Sequence, residues 1–309
     1  MKISEDDIID LVSKNINFRE EIIVPIGEDA SVIFPQQLSS MVITTDTMVE
    51  NTHFRPNISP YELGYISAAS NISDLSAMGA KPAFALINLT IQDKNEEYIK
   101  QFIKGYDSIF KDLNVSVIGG DTTCGPMNIT MTLIGYTKSN NFMLISNAKV
   151  DDKIFISGSL GNSMALNRIN NYFLPDIRNE LGQILTDFAN CCTDMSDGIL
   201  KSLKKITNQS NVGADIFLDK IIINSKLKEP LIKKEITWED ILGYGEDYEL
   251  LFTVNNKKVD ILKKICKEIN IDIYEVGSIN NKKKVSFYDK NKLVKININK
   301  YFEHFKNER

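Results

Sequence analysis

The chain has 309 residues, 43% of them hydrophobic and 25% charged, and its 36 basic and 41 acidic side chains leave a net charge of −5. A single core usually stops growing near about 250–300 residues, so two domains of ordinary soluble composition are expected. The charge balance gives no broad field for nucleic acid, and no run of about eighteen apolar residues offers a membrane span.

A helix is expected to open near Ser4, with Asp6 and Asp7 in its first turn and Ile8, Ile9 and Val12 facing inward. This start is acidic and amphipathic and has no apolar signal-peptide core, so a cytoplasmic protein is expected. Met41–Thr45 reads as a strand that delivers Asp46 at its tip. Ser59-Pro60 caps a helix running from Tyr61 to Gly79, with Tyr65, Ala68, Ala69, Ile72 and Leu75 on its apolar stripe. Ser67, Asn71, Asp74 and Met78 form a second stripe, which is expected to face a wet cavity.

Phe84–Thr90 is a predicted strand, Glu96–Leu113 a helix, Val115–Ile118 a buried strand ending in Gly-Gly-Asp, and Asn128–Tyr136 another strand. After Thr137 the polar run Lys138–Asn141 marks a domain boundary, giving domains 1–140 and 141–309. In the second, strands are expected over Lys153–Ser157, Ala214–Leu218, Tyr248–Val254, Ile271–Val276 and Val285–Tyr288. Helices are expected over Glu180–Asn190, Val259–Glu268 and Asp197–Asn208, the last capped by Ser196 or Asp197. Strands alternate with helices throughout, so the class is α/β or α+β. Cys124, Cys191, Cys192 and Cys266 have no ligand-like spacing and are expected as buried reduced thiols, without zinc. The turn Gly158-Ser159-Leu160-Gly161-Asn162-Ser163 lacks the lysine of a phosphate loop and reads as a strand-to-helix turn.

Chemistry concentrates in a set of acidic motifs near the ends of apolar runs. They are Gly27–Ala30, Thr44–Thr47, Asn71–Asp74, Gly119–Thr123, Thr193–Gly198 and Gly245–Glu249. Any one of them suits plain turn punctuation or a cap. Taken jointly, they gather carboxylates that would repel one another, a cost that hard cations such as Mg²⁺ with phosphate ligands relieve. With only His53 and His304 available, a histidine phosphorelay has little material.

The stretches Ile26–Val32, Thr44–Phe54, Ala69–Pro82, Ile118–Thr123, Thr193–Ile199 and Tyr244–Thr253, in this order, resemble the thiamine-monophosphate kinases. Phe302-Glu303-His304-Phe305 is similar to the ending of that family, which belongs with the aminoimidazole ribonucleotide synthetase-like superfamily. The resemblance implies a two-domain fold, an N-terminal α/β domain whose strands pair with a partner subunit followed by a C-terminal α+β domain, in a homodimer. It implies ATP-dependent phosphorylation of thiamine monophosphate to thiamine diphosphate by direct transfer, with no general base. It implies several Mg²⁺ ions on Asp29, Thr44, Thr45, Asp46, Asp74, Asp121, Asp194 and Asp197, and ATP on Gly120, Asp121 and Ser196. His53, Glu246, Asp247 and Phe302 would meet the thiamine phosphate. Nucleic acid and membrane are not implied as partners.

Three positions depart from the pattern. Glu28 stands where the family has aspartate, Ile145 where it has an arginine that reaches the nucleotide phosphates, and Asn51 where it has glycine. Asn accepts positive φ more readily than most residues, so the last is tolerable. Competing readings are another ATP-dependent enzyme of the superfamily and a non-catalytic nucleotide- or metal-binding relative. A selenophosphate synthetase would need a reactive cysteine near the N-terminus, and the first here is Cys124.

Overall fold

The computed structural model describes residues 11–15, 17, 19–24, 32–33, 39–92, 94–139 and 141–302. Asp29, Glu28 and the Glu303–Phe305 ending lie outside the described residues, as does the expected start of the first helix, of which residues 11–13 are seen as helical. The described residues up to Leu75, with Ala80–Asn141, form one compact unit; Ser76–Gly79 with the residues from Phe142 onward form another.

In the first unit, β1 (Ile22–Val24) and β2 (Val32–Ile33) pair as a small antiparallel ribbon. A four-stranded sheet holds β3 (Met41–Val49), β4 (Lys81–Ile91), β5 (Ser116–Cys124) and β6 (Asn128–Tyr136) in the order β3-β6-β4-β5. Two of the expected acidic turns are therefore strand interiors. Asp46 lies mid-strand opposite Met131, and Asp121 lies in β5 opposite Asn88. Aspartate is a poor strand residue, which is why both strands were expected to stop there, but the ladder to β6 or β4 satisfies the backbone well past the Asp.

Helix α1 (Pro60–Met78) opens as the Ser59-Pro60 pair predicts. Ser59 Oγ accepts from the Glu62 N–H at 3.1 Å, and Glu62 Oε2 accepts from the Ser59 N–H at 3.2 Å, closing a capping box. Helix α2 (Glu96–Leu113) is capped by the Asn95 side chain and stopped by Asn114 at φ 54°. It buries Ile99, Phe102, Ile103, Tyr106, Ile109 and Phe110 at helical spacing. The two helices cross backbone to backbone: a Cβ on Gly64 would lie 2.1 Å from the Phe102 carbonyl oxygen, and one on Gly105 would lie 2.1 Å from that of Tyr61. Of the stripe expected to face a wet cavity, Asp74 and Met78 are half-buried. Ser67 and Asn71 are buried and turned onto their own helix, Ser67 Oγ donating to the Leu63 carbonyl and Asn71 Nδ2 to that of Ser67.

The second unit is built on β7 (Lys153–Ser157), β8 (Ala189–Asp194), β9 (Gly213–Phe217), β10 (Leu250–Val254), β11 (Ile273–Asn280), β12 (Val285–Asp289) and β13 (Lys292–Val294). Their order is β13-β12-β9-β11-β7-β10-β8, with β12 and β9 parallel and the other pairs antiparallel. Along β7, Ile154 and Ile156 enter one hydrophobic cluster and Phe155 the other. Apolar runs buried on both faces are what a covered sheet requires. Helices α3 (Asn162–Asn167), α4 (Asn179–Leu185), α5 (Ile199–Gln209), α6 (Ser225–Ile232), α7 (Trp238–Leu242) and α8 (Val259–Glu268) complete the unit.

Three expectations are corrected here. The Glu180–Asn190 helix ends at Leu185, because Ala189 and Asn190 join β8. Helix α5 starts after Gly198 with no side-chain cap, since the Asp197 carboxylate meets Lys201 Nζ at 2.5 Å one turn on. Cys191, Cys192 and Cys266 are buried thiols as expected, but Cys124 is exposed at the end of β5, where the sheet runs out of neighbours.

Candidate active site

The acidic residues of the first unit divide between the two faces of its sheet, because alternation along a strand sends successive side chains to opposite sides. Thr44, Asp46 and Met48 share one face of β3, and there Thr44 Oγ1 donates to Asp74 Oδ2 of α1 at 2.5 Å. Thr45 and Thr47 take the other face. Thr132 Oγ1 donates to Thr45 Oγ1 at 3.0 Å, and the Thr45 hydroxyl donates to the Met131 carbonyl at 3.1 Å.

The row Thr47–Thr130–Asn88–Asp121 runs across the sheet on this second face, so Asp121 stands away from Asp46 and Asp74. Its Oδ2 accepts from Thr123 Oγ1 at 3.2 Å, and the residue is exposed. Gly120 is required by contact: a Cβ there would fall 1.9 Å from the Ile87 carbonyl oxygen. His53 closes the turn after β3. Its Nδ1 accepts from the Val49 N–H at 2.9 Å, which assigns the ring proton to Nε2, and Asn51 holds φ 63° as its residue type allows.

In the second unit Asp194 ends β8, and its carbonyl accepts from Ser202 Oγ at 2.9 Å. The Met195–Gly198 turn follows and carries Ser196 and Asp197. The Ser196 carbonyl accepts from the Glu246 N–H at 2.7 Å, which lays the Gly245–Glu249 segment alongside it. Asp247 is engaged within its own chain. Its two carboxylate oxygens accept from the Gly161 N–H at 2.6 Å and the Ser163 N–H at 3.0 Å, at the head of α3. The turn that resembles a phosphate loop is thus filled by a carboxylate of the same chain. Burial pushes the Asp247 pKa up to about 7 against the pull of those N–H groups. Glu246 Oε2 accepts from Ser163 Oγ at 3.1 Å. Phe302 is half-buried beyond Tyr301, which packs on the core. Ile145 also packs on that core, and its carbonyl accepts from Cys191 Sγ and Ser210 Oγ.

The donors are hard. Every candidate ligand is a carboxylate or hydroxyl oxygen, and the thiols of Cys191 and Cys192, in the strand that ends at Asp194, are raised by burial, Cys191 to about 12. A hard cation such as Mg²⁺ fits such a set, and a thiophilic one does not. Among the described residues, no three His, Cys, Asp or Glu side chains converge as a metal-holding group. Sequence reading missed Arg178 and Glu249, which form an ion pair at 2.7 Å between a half-buried guanidinium and a buried carboxylate. The signal was a glutamate opening the apolar run Glu249–Val254, since a carboxylate there needs a partner.

Residues 27–137 match the family described as AIR synthase related protein, N-terminal domain, and residues 174–290 match its C-terminal domain. A thiamine-monophosphate kinase of Buchnera aphidicola subsp. Acyrthosiphon pisum is 35% identical, over 94% of this chain and 98% of the relative. The chain belongs to the thiamine-monophosphate kinase family. A solved thiamine-monophosphate kinase from Stenotrophomonas maltophilia K279a matches with TM-score 0.84 at 28% identity, covering 95% of this chain and 99% of the other. AaThiL complexed with AMPPCP and TMP matches with TM-score 0.72 at 26% identity, covering 95% and 96%. The two-domain aminoimidazole ribonucleotide synthetase-like fold expected from the motifs is the fold found.

Proposed function

We propose that this chain transfers the γ-phosphoryl group of ATP directly to the phosphate of thiamine monophosphate, giving thiamine diphosphate and ADP. The observation that carries this reading is 35% identity to a thiamine-monophosphate kinase across nearly the whole of both chains. The relative solved with AMPPCP and TMP supports the same pair of ligands, an ATP analogue and thiamine monophosphate. The acceptor is a phosphate monoester, already largely ionised at neutral pH, so no strong base is needed. The work of the site is to align two anions and offset the charge between them.

Several Mg²⁺ ions would be held, by Asp29, Thr44, Asp46 and Asp74, by Thr45 and Asp121 on the other face of the sheet, and by Asp194 and Asp197 in the second unit. Bound there, they supply charge neutralisation on the phosphates. Gly120, Asp121 and Ser196 would take ATP, and His53, Glu246 and Phe302 the thiamine phosphate. Asp247 would serve the substrate side through the turn it holds, because its own carboxylate is occupied by the Gly161 and Ser163 amides. In this reading residues 1–140 carry the dimer contact with most of the metal site, and residues 141–309 complete the nucleotide and substrate site. The edge strand β3 exposes Met41 and Ile43 at 51% and 56%, which supports a homodimer joined through this sheet. A cytoplasmic location goes with the same reading.

The test offers thiamine monophosphate and free thiamine separately with Mg²⁺ and ATP, and follows ADP and thiamine diphosphate. Turnover is expected with the monophosphate alone, and comparable turnover of free thiamine would sink the reading. Light scattering on the same sample is expected to give twice the 35.0 kDa chain mass.

A further inference from the structure

Glu249 immediately precedes β10, two residues past Asp247, and is buried, where a carboxylate is costly unless paired and hydrogen-bonded. It is both. Arg178 closes a fork on it, Nε to Oε2 and Nη2 to Oε1, each at 2.7 Å, and Ser157 Oγ donates to Oε2 at 2.5 Å. The same Ser157 oxygen accepts from the Leu250 N–H at 2.8 Å, so the fork joins the end of β7 to the start of β10. Gly158 makes room: a Cβ there would stand 2.1 Å from Glu249 Oε1 and 2.8 Å from Arg178 Nη2. Arg178 Nη2 also meets the exposed Asp176 at 3.2 Å.

The backbone of this segment is stitched to the neighbouring acidic turn. The Glu249 carbonyl accepts from the Met195 N–H at 2.9 Å, and the Glu246 N–H donates to the Ser196 carbonyl at 2.7 Å. Gly245 presses on that carbonyl so closely that a Cβ would be 2.2 Å from it. Strain gathers here as well, with Glu246 at φ 59° and Tyr248 at φ 53°. Left-handed conformations of such residues are costly and persist only where the surroundings over-determine them. Two buried carboxylates do so from within the turn: Asp247 on the α3 amides and Glu249 on Arg178.

We infer that Arg178 and Glu249 are positioning residues for phosphoryl transfer, their fork holding the strained Gly245–Glu249 turn against the Met195–Gly198 turn. In doing so they fix where Asp194, Ser196, Asp197 and Glu246 stand. For the reaction this rests on the kinase reading; for the geometry it rests on the fork alone.

Two variants and two readouts test it. Arg178→Lys keeps the charge but cannot fork, so the melting temperature should stay within a few degrees while kcat falls about 10- to 100-fold, as misplaced groups cost. The KM for ATP should change much less than kcat. Arg178→Met combined with Glu249→Met removes both charges, which is close to neutral for stability, yet kcat should remain down by about 100-fold. Wild-type kcat in either variant would overturn the inference, the second by showing that the pair serves stability alone. Amide exchange of Arg178→Lys is read in parallel and needs no turnover. Faster exchange at 196–198 and 246–250, with β11 unchanged, is expected; unchanged protection there would refute the fork as the clamp. A wild type that fails to phosphorylate thiamine monophosphate would defeat the kinase reading, and the exchange data would still decide the fork.

Discussion

In the first unit, Asp46 and Asp121 stand on sheet strands, the first half-buried and the second exposed, among threonine hydroxyls. In the second, Asp247 and Glu249 are buried and saturated, one by backbone amides and the other by a guanidinium and a hydroxyl. All four belong to short acidic motifs that read alike as sequence. What separates the two pairs is burial, and with it the amides, guanidinium and hydroxyl that satisfy Asp247 and Glu249 from residues far away in the chain.

The sharpest way to break this comparison is to change one residue of each kind. Glu249→Gln leaves the half-buried Arg178 with only the exposed Asp176 as counter-ion and is expected to lower unfolding free energy by about 1–3 kcal/mol, read by denaturant titration. Asp46→Asn is expected to shift stability by no more than about 0.5 kcal/mol, or to raise it in the absence of metal by relieving like-charge repulsion. It should nonetheless lower kcat/KM by about 100-fold through lost metal-assisted charge neutralisation. A stable Glu249→Gln, or an Asp46→Asn that unfolds, would reverse the assignment.

The fold was legible where a local signal is strong. Asn128–Tyr136 and Glu96–Leu113 are found at the predicted bounds, one from its alternation, the other from its apolar stripe between Asn95 and Asn114. Bounds failed at Asp46 and Asp121, because strand pairing with distant partners overrode the local reluctance of aspartate. At the site the types of residue were legible, and their grouping was not. Thr44 and Asp74 meet through a contact spanning thirty positions, whereas Thr45, next to Thr44, faces the other way. For Asp247, nothing in the sequence says that the Gly161 and Ser163 amides will claim its carboxylate.

Asp247 itself gives a finer test of the buried class. Its pKa rises from 3.8 to about 7, so between those values the folded chain binds more protons than the unfolded one. Stability from this group is therefore greatest at low pH and is lost as pH climbs through about 4 to 7, at about 1.4 kcal/mol for each unit of pKa shift. Asp247→Asn should flatten that slope while costing about 1–3 kcal/mol at low pH, since an amide offers one acceptor to two N–H donors. Urea titrations at pH 5 and pH 8 on both proteins measure it, and equal slopes would mean that the carboxylate is charged throughout.

The smallest effect lies between the two classes, at Asp197, whose partner Lys201 is itself a quarter exposed at 25%. Lys201→Met should change stability by less than about 1 kcal/mol, as half-exposed pairs do. It should also free Asp197 for a divalent ion, tightening Mn²⁺ binding a few-fold by electron paramagnetic resonance. Weaker binding would show that Lys201 helps to hold the bound anion instead.

The crossing of α1 and α2 at Gly64 and Gly105 has a mechanical consequence. Side chains that interdigitate can repack by rotamer changes, but two main chains touching through absent Cβ atoms have no such freedom. Helix α1, which carries Asp74, is expected to resist sliding and turning at this crossing. The Thr44–Asp74 contact should then have no local opening of its own: amides around Asp74 should exchange at the rate of global unfolding, so that this part of the acidic apparatus is lost only when the whole unit is lost.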